Sequence, residues 1–590
     1  MKPTACLAVL LLACISEVAI AATAVDLDAR AETLFSAYAK PGSPGVALLV
    51  LEDGRPVLDK AWGQASLEHG VPFTRDTVVR LPYSEAREFL ATAAVLMEKD
   101  GLVDLDAPLR ERFPELPAWA AEVDAWDLLN HRSGFVDEWA TLLLMHDSMA
   151  NHFSEAQFLQ LLSRQPRPEV PPGEGYLYSN SDMGLLKLLL QRAAGKPLRE
   201  WMAERMFGPL GMTATQLDDD PAAVIPRKAQ SYSLAPGGYQ RAAPDKTSPG
   251  GNYYIASSAR DLACWANALA DPGSDAAWAN ALLRQRVRTI PPKQEQHRIF
   301  GQTELEIAGE LVVLHQGVNG FTWLARVPKH RLAVVATTNG SGVATQLRAL
   351  VDAVVGAVEE AKPRPVFKST PVSMSLALLD RYAGEYEWQA QERWQSERPV
   401  RGRRAQITTT ADGLRFDVAG QQVQAVPVGD DLFYARFGGT GVQFRFQPLP
   451  DDGMALAIES DDGYPTDHLR RNPVAAWRPG TAELDRLVGL YRSDFLDYEW
   501  RIARGGPPGT LLLQRPTAAD AILEPDGAGT FRLHLQDGYG GFDAWVTFHQ
   551  EVEGAPSHLT VGFPRLMDHR FDRVEAGGGA STSASPSAGK

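Results

Sequence analysis

Three separated stretches of the chain hold residues able to do nucleophilic chemistry. The first is Thr77 to Met97, in which Ser84 precedes apolar residues at helical spacing (Phe89, Ala93, Leu96, Met97), so the chain turns at Pro82 and continues as a core helix. A serine there presents its hydroxyl where helix N–H groups favour negative charge, and Arg87 adds a cation one turn on. The second is Tyr178-Ser179-Asn180, delivered to a loop by the Pro/Gly turn Pro171 to Gly175. A phenol can take a hydroxyl proton and return it to a leaving group when a nearby cation lowers its pKa. Tyr178 is therefore the candidate base, and Asn180 the candidate holder of a substrate amide. The third is His315-Gln316-Gly317, with Gly320 in the following loop. Glycine on an edge lets a substrate backbone come close, and an N–H there could join that of Ser84 in an oxyanion hole. Each stretch also has an ordinary reading: an N-cap serine with Glu85 and Glu88 complementing the dipole, a turn asparagine bonded to its own backbone, and a core histidine at a strand end.

Taken together these stretches resemble the serine β-lactamase, penicillin-binding protein and D-aminopeptidase superfamily. The likeness extends through Ala65-Ser66-Leu67-Glu68-His69-Gly70, His131-Arg132-Ser133-Gly134, Gly195-Lys196-Pro197-Leu198 and Met206-Phe207-Gly208-Pro209-Leu210-Gly211-Met212. It implies an α+β domain, an antiparallel sheet flanked by helices, that forms an acyl-serine intermediate. The family nucleophile opens a Ser-x-x-Lys motif. Here the lysine is missing. Counting back from Phe89 places the pair on Ser84 and Arg87, whereas counting forward from Phe73 places it on Tyr83 and Ala86; only the first register supplies a hydroxyl and a cation. The resemblance makes His315-x-Gly317 the counterpart of the Lys-Thr-Gly of β-lactamases, in the form that D-aminopeptidases and related esterases carry. It makes His131 a structural residue of a glycine turn, and Gly250-Gly251 part of a loop lining the site.

Arg87 decides what such a site can do. Guanidinium stays protonated, so it cannot accept the serine proton, although it can serve as a fixed charge beside Tyr178. Two functions follow: an exported serine hydrolase acting on amide or ester bonds of small peptides containing D-amino acids, or a catalytically impaired relative that binds such peptides or peptidoglycan fragments. A carboxylesterase of the same fold needs the same residues. No Cys/His metal cluster, nucleotide-binding glycine loop or Gly-x-Ser-x-Gly elbow is present in the sequence, so neither a metal nor another cofactor is expected.

The chain has 590 residues, with 58 basic against 73 acidic side chains and a net charge of −15. That balance, with no basic cluster, argues against nucleic acid and anionic lipid as partners. Residues 1–21 read as a secretory signal: Lys2, an apolar run from Ala5 to Ile15 too short to span a bilayer, and Ala19-Ile20-Ala21 as a cleavage site. A periplasmic or secreted protein without stable membrane insertion is expected, a lipoprotein through Cys14 being the alternative; the oligomeric state stays open. Cys264 reads as a small apolar helix residue. The hydrolase domain is expected over 27–360, followed by a Pro-rich linker at 361–376. Beyond it Leu379-Asp380-Arg381-Tyr382-Ala383-Gly384-Glu385-Tyr386 recurs as Leu484-Asp485-Arg486-Leu487-Val488-Gly489-Leu490-Tyr491. Short alternating strands after each copy predict two small antiparallel barrels, 377–478 and 481–574, and 576–590 reads as a disordered tail. The turn Asp537 to Gly541 is a candidate for a barrel loop that reaches the site.

Overall fold

A computed structural model describes residues 27–574 except 82, 147–153, 221, 236–237, 242–253, 287–297, 308, 317–321, 341–343, 357–366, 389–403, 419–420, 438–439, 451–452, 461–466, 472–476, 528, 537–540, 550–553 and 564–565. The expected signal segment, Gly250-Gly251, most of the Asp537 to Gly541 turn and the expected tail lie outside the described residues. Among the described residues no helix is long and apolar enough to cross a membrane.

The first unit is built on a seven-stranded antiparallel sheet. From edge to edge it runs Arg298–Ile299, Gln302–Ile307, Glu310–Gln316, Thr322–Val327, Leu332–Thr338, Val46–Glu52 and Arg55–Trp62. Its central strands are buried on both faces, and the period of two along a strand sorts their side chains into two cores. Ala47, Leu49, Leu51, Leu324 and Val335 join the core around the long helix Tyr83–Lys99. Val46, Leu48, Val50, Trp323, Ala325, Val334 and Ala336 face the other way, onto Phe35 and the helix Ala344–Gly356. The first helix covers 27–35 and passes through turns to residue 39 as Pro41-Gly42 approaches.

Tyr83–Lys99 follows the strand Val78–Leu81, which pairs with Tyr254–Ser258. From Ala86 to Met97 every residue is buried, so this helix threads the interior. Gly101, in the left-handed region at φ 75°, ends it and lets the Leu102 N–H reach the Met97 carbonyl at 2.9 Å. Cys264 lies on the helix Ala259–Ala270, where burial pushes its thiol up.

Two closed eight-stranded antiparallel barrels follow, Gly384–Trp388 to Asp467–Arg471 and Gly489–Ser493 to Leu566–Arg573. The sequence repeat is a structural repeat. Tyr386 Oη donates to the Tyr382 carbonyl and Tyr491 Oη to the Leu487 carbonyl, both at 2.9 Å. In each copy an arginine from the last strand, Arg471 or Arg573, closes the same corner by donating to backbone carbonyls. Burial raises both phenols, well above the usual range for Tyr386 and to about 12 for Tyr491. Tyr386→Phe and Tyr491→Phe are each expected to lower stability by about 1 kcal/mol, the net worth of a buried hydrogen bond, read from the urea unfolding midpoint. An unshifted midpoint would mean that the corner does not depend on the hydroxyl.

Candidate active site

Two charges enter the interior at adjacent positions of the central helix. Arg87 is 7 % and Glu88 2 % exposed. Neighbours on a helix point about 100° apart, so each charge needs partners of its own, and an unpaired one would cost several kcal/mol.

Arg87 turns toward the helical part of the domain. Its Nη2 donates to His131 Nε2. Arginine has no acceptor, so Nε2 must be the bare nitrogen of the ring and Nδ1 carries the hydrogen. His131 Nδ1 then donates to Asp182 Oδ2 at 2.8 Å, while Ser133 Oγ donates to Asp182 Oδ1 at 2.5 Å. A cation and an acid are thus joined through a neutral imidazole. Asp182 sits in the first turn of the helix Asn180–Ala194, where the dipole favours an anion. Burial nevertheless pushes its carboxyl well above the ordinary range, against the pull of Ser133 and Arg87.

Tyr178 lies over this chain. The Arg87 guanidinium is 4.8 Å from the centre of its ring and the His131 ring 4.7 Å from it. Tyr178 Oη donates to Asn180 Oδ1 at 2.8 Å. The Asn180 amide is oriented in turn by Asp137, which its Nδ2 approaches at 3.4 Å and which also caps the helix Glu138–Met145 through the Trp139 and Ala140 N–H groups. Ser181 Oγ donates to Glu138 Oε2 at 2.7 Å. Burial and the neighbouring Asp137 hold the Glu138 carboxyl well above its usual range.

The loop that carries Tyr178 is held along the 131–136 segment. Leu177 N–H donates to the His131 carbonyl, Gly173 N–H to that of Arg132 and Glu169 N–H to that of Gly134, each at 2.9 Å. Gly134 has φ 80°, and a Cβ there would meet the Val170 carbonyl oxygen at 2.5 Å, so the close approach of the two strands of chain requires glycine.

Glu88 turns toward the sheet. Its Oε2 is 2.5 Å from His315 Nδ1, and its Oε1 accepts from Trp265 Nε1 at 2.7 Å. Burial works to raise this carboxyl, but His315, Arg326 and Trp265 outweigh it and hold it below the usual carboxylate range. Burial lowers Arg326.

Arg87, Tyr178 and Asn180 are thus brought together. His315 is placed on the Glu88 side of the helix, and the imidazole beside Tyr178 is that of His131. Ser84 falls in the first turn of Tyr83–Lys99, but its side chain, like Gly317 and Gly320, lies outside the described residues. Asn180 spends its amide on Tyr178 and Asp137. His131 ties a loop to backbone as expected of a residue beside a glycine turn, yet its ring also belongs to the buried chain. Asp182 and Glu88 went unassigned. Asp182 opens an otherwise apolar helical run, and Glu88 had a sufficient reading as a dipole partner.

A family model described as Beta-lactamase matches residues 31–357. A D-aminopeptidase of Brucella anthropi is 36% identical over 185 residues, 30% of this chain and 34% of the relative. One from Cereibacter sphaeroides is 30% identical over 196 residues, 33% of this chain and 37% of the relative. The chain thus spans about a third of the length of these curated relatives. Among solved structures, an octameric penicillin-binding protein homologue from Pyrococcus abyssi aligns with a TM-score of 0.49 at 16% identity, covering 76% of this chain and 99% of that one.

Asp182→Ala is expected to cost about 3 kcal/mol, because it leaves the buried His131 Nδ1–H and Ser133 hydroxyl without their acceptor, while Ser133→Ala costs about 1 kcal/mol. Urea unfolding of the two variants checks the ranking. Glu138 and Asp182 have raised carboxyls, so above the ordinary carboxylate range the folded chain holds protons that the unfolded chain has released, and stability falls as pH rises through that window. Glu138→Gln is expected to flatten that fall, measured by unfolding at pH values between about 5 and 8.

Proposed function

Because the chain belongs to the beta-lactamase family, we propose that it is a serine hydrolase whose nucleophile is Ser84 and whose proton carrier is Tyr178. The observation that carries this reading is the buried guanidinium of Arg87 lying over the Tyr178 ring, one helical turn from Ser84. Tyr178, acting as the phenolate once its own Oη proton has passed to solvent, takes the proton of Ser84 as the serine oxygen attacks a carbonyl carbon. The tetrahedral oxyanion is held by backbone N–H groups at Ser84 and near Gly317. Collapse breaks the bond to the leaving amine or alcohol, which takes the proton from Tyr178, and water then attacks the acyl-serine by the same route in reverse. Arg87 accepts no proton; it lies over the phenol ring as a fixed positive charge. Asn180 orients the phenol through the hydrogen bond to its Oδ1. The chemistry needs no metal or cofactor.

The substrates we assign are small amides, peptides or esters, with D-aminopeptidase-like preference taken from the names of the relatives. Residues 1–21 assign the protein to the periplasm or the exterior. A second reading is favoured by the donation of Arg87 into His131: with its cation committed there, the protein binds such peptides without turning them over.

A fluorophosphonate probe followed by peptide mass spectrometry is expected to label Ser84, and Ser84→Ala to abolish the label. Tyr178→Phe is expected to lower the labelling rate by roughly 10²–10⁴-fold, the usual worth of a positioned acid–base group. Arg87→Lys restores a titratable amine one turn from the serine and is expected to raise turnover of D-amino acid p-nitroanilides. An absence of label on Ser84 at high probe concentration would select the binding reading.

A further inference from the structure

The second barrel grips the first unit at two places, and both lead to Tyr178. At the first, it caps the C-terminal end of Glu138–Met145, whose last carbonyls have no partner within the helix. Trp500 Nε1 donates to the Leu144 carbonyl at 3.2 Å, Arg515 Nη1 to that of Leu143 at 3.3 Å, and Tyr498 Oη and Thr517 Oγ1 to that of Met145 at 2.8 and 2.7 Å. The other end of this helix is capped by Asp137, the residue that orients Asn180.

The second place is the Tyr178 loop itself. Met567, on the strand Leu566–Arg573, packs with Val170 and Leu177 in a small apolar cluster separate from the main cores. Leu177 is the neighbour of Tyr178. The Met567 N–H donates to Glu169 Oε2 at 2.5 Å, and Arg167 Nη2 reaches the Asp568 carbonyl at 3.5 Å. The loop therefore lies between the 131–136 segment on one side and the barrel on the other.

We infer that Met567 and Glu169 are positioning residues for the reaction: the second barrel presses the Tyr178 loop against the His131 segment and so fixes the phenol over Arg87. The catalytic part of this inference rests on the proposed role of Tyr178. Neither residue touches the reacting atoms.

The charges facing Glu169 are Arg167 on its own loop and Asp568 on the barrel strand. The next histidine, His569, is held neutral by burial and by Arg167, at about 3, and its Nε2 is 2.9 Å from Ser493 Oγ. Burial raises the Glu169 carboxyl to about 7, only partly offset by the Met567 N–H and Arg167. Docking thus favours the protonated acid. The contact is strongest below the ordinary glutamate range, weakens as pH rises toward about 7, where Glu169 itself titrates, and is level above that.

The test is hydrogen–deuterium exchange over residues 174–179 of the full chain, corrected for intrinsic rates, together with hydrolysis of p-nitrophenyl acetate. Met567→Ala is expected to speed exchange in this segment and lower kcat about tenfold with KM unchanged, since small misplacement of a catalytic group is costly. Met567→Leu, which keeps the volume, restores both. Glu169→Gln removes the change in exchange between low pH and about pH 7. Retained protection of the strand Leu511–Arg515 shows that the barrel stays folded. Unchanged exchange and unchanged kcat in Met567→Ala overturn the inference. Faster loop exchange in a protein that turns over no substrate even as wild type supports the brace and sinks the catalytic role of Tyr178.

Discussion

The structure depends on neutralising two opposite charges placed side by side in an apolar helix. Arg87 and Glu88 cannot reach water, and each lies in a surrounding where an unpaired ion would cost several kcal/mol. Because they project in different directions, their partners come from different layers. His131, Ser133 and Asp182 come from the helical part, and His315, Trp265 and Arg326 from the sheet side. Satisfying both sets fixes the helix in rotation and depth, and with it the position at which Ser84 enters the first turn.

The identity of the cation then shapes the chemistry. A lysine at this position could lose its proton; arginine cannot, and its donor-only character dictates the direction of every bond beyond it. His131 must accept at Nε2 and donate at Nδ1, so the one bare nitrogen of that ring is already taken up by the Arg87 hydrogen bond. Tyr178 is in contact with both groups and bonded to Asn180.

Much of this was legible in the sequence. Ser84, Arg87 and Tyr178-x-Asn180 stand in local patterns, a helix start and a turn, which constrain their surroundings within a few residues. The alternating strands and the recurrence of Leu379–Tyr386 at Leu484–Tyr491 likewise disclosed the barrels, because a repeat reports its own fold. The partners of the buried charges were not legible. His131 and Asp182 are 51 positions apart, and Glu88 and His315 farther still, so their pairing follows from tertiary packing alone. A histidine beside a glycine turn has a sufficient local explanation, and that explanation hid its second role.

The division into units read from composition also understates how they are joined. A Pro-rich linker suggests modules that fold separately, and the first barrel has its own core. The second does not stand apart in this way: its apolar interior is continuous with the core around the central helix. It supplies donors to the helix carbonyls at Leu143, Leu144 and Met145, groups that would otherwise need water. The two barrels keep the same tyrosine corner, so the duplicated element is the scaffold and not the attachment. The attachment residues belong to the second copy, and they meet the helix whose opposite end orients Asn180. A barrel bound in this manner constrains the site mechanically, whether or not any of its loops enters the cleft.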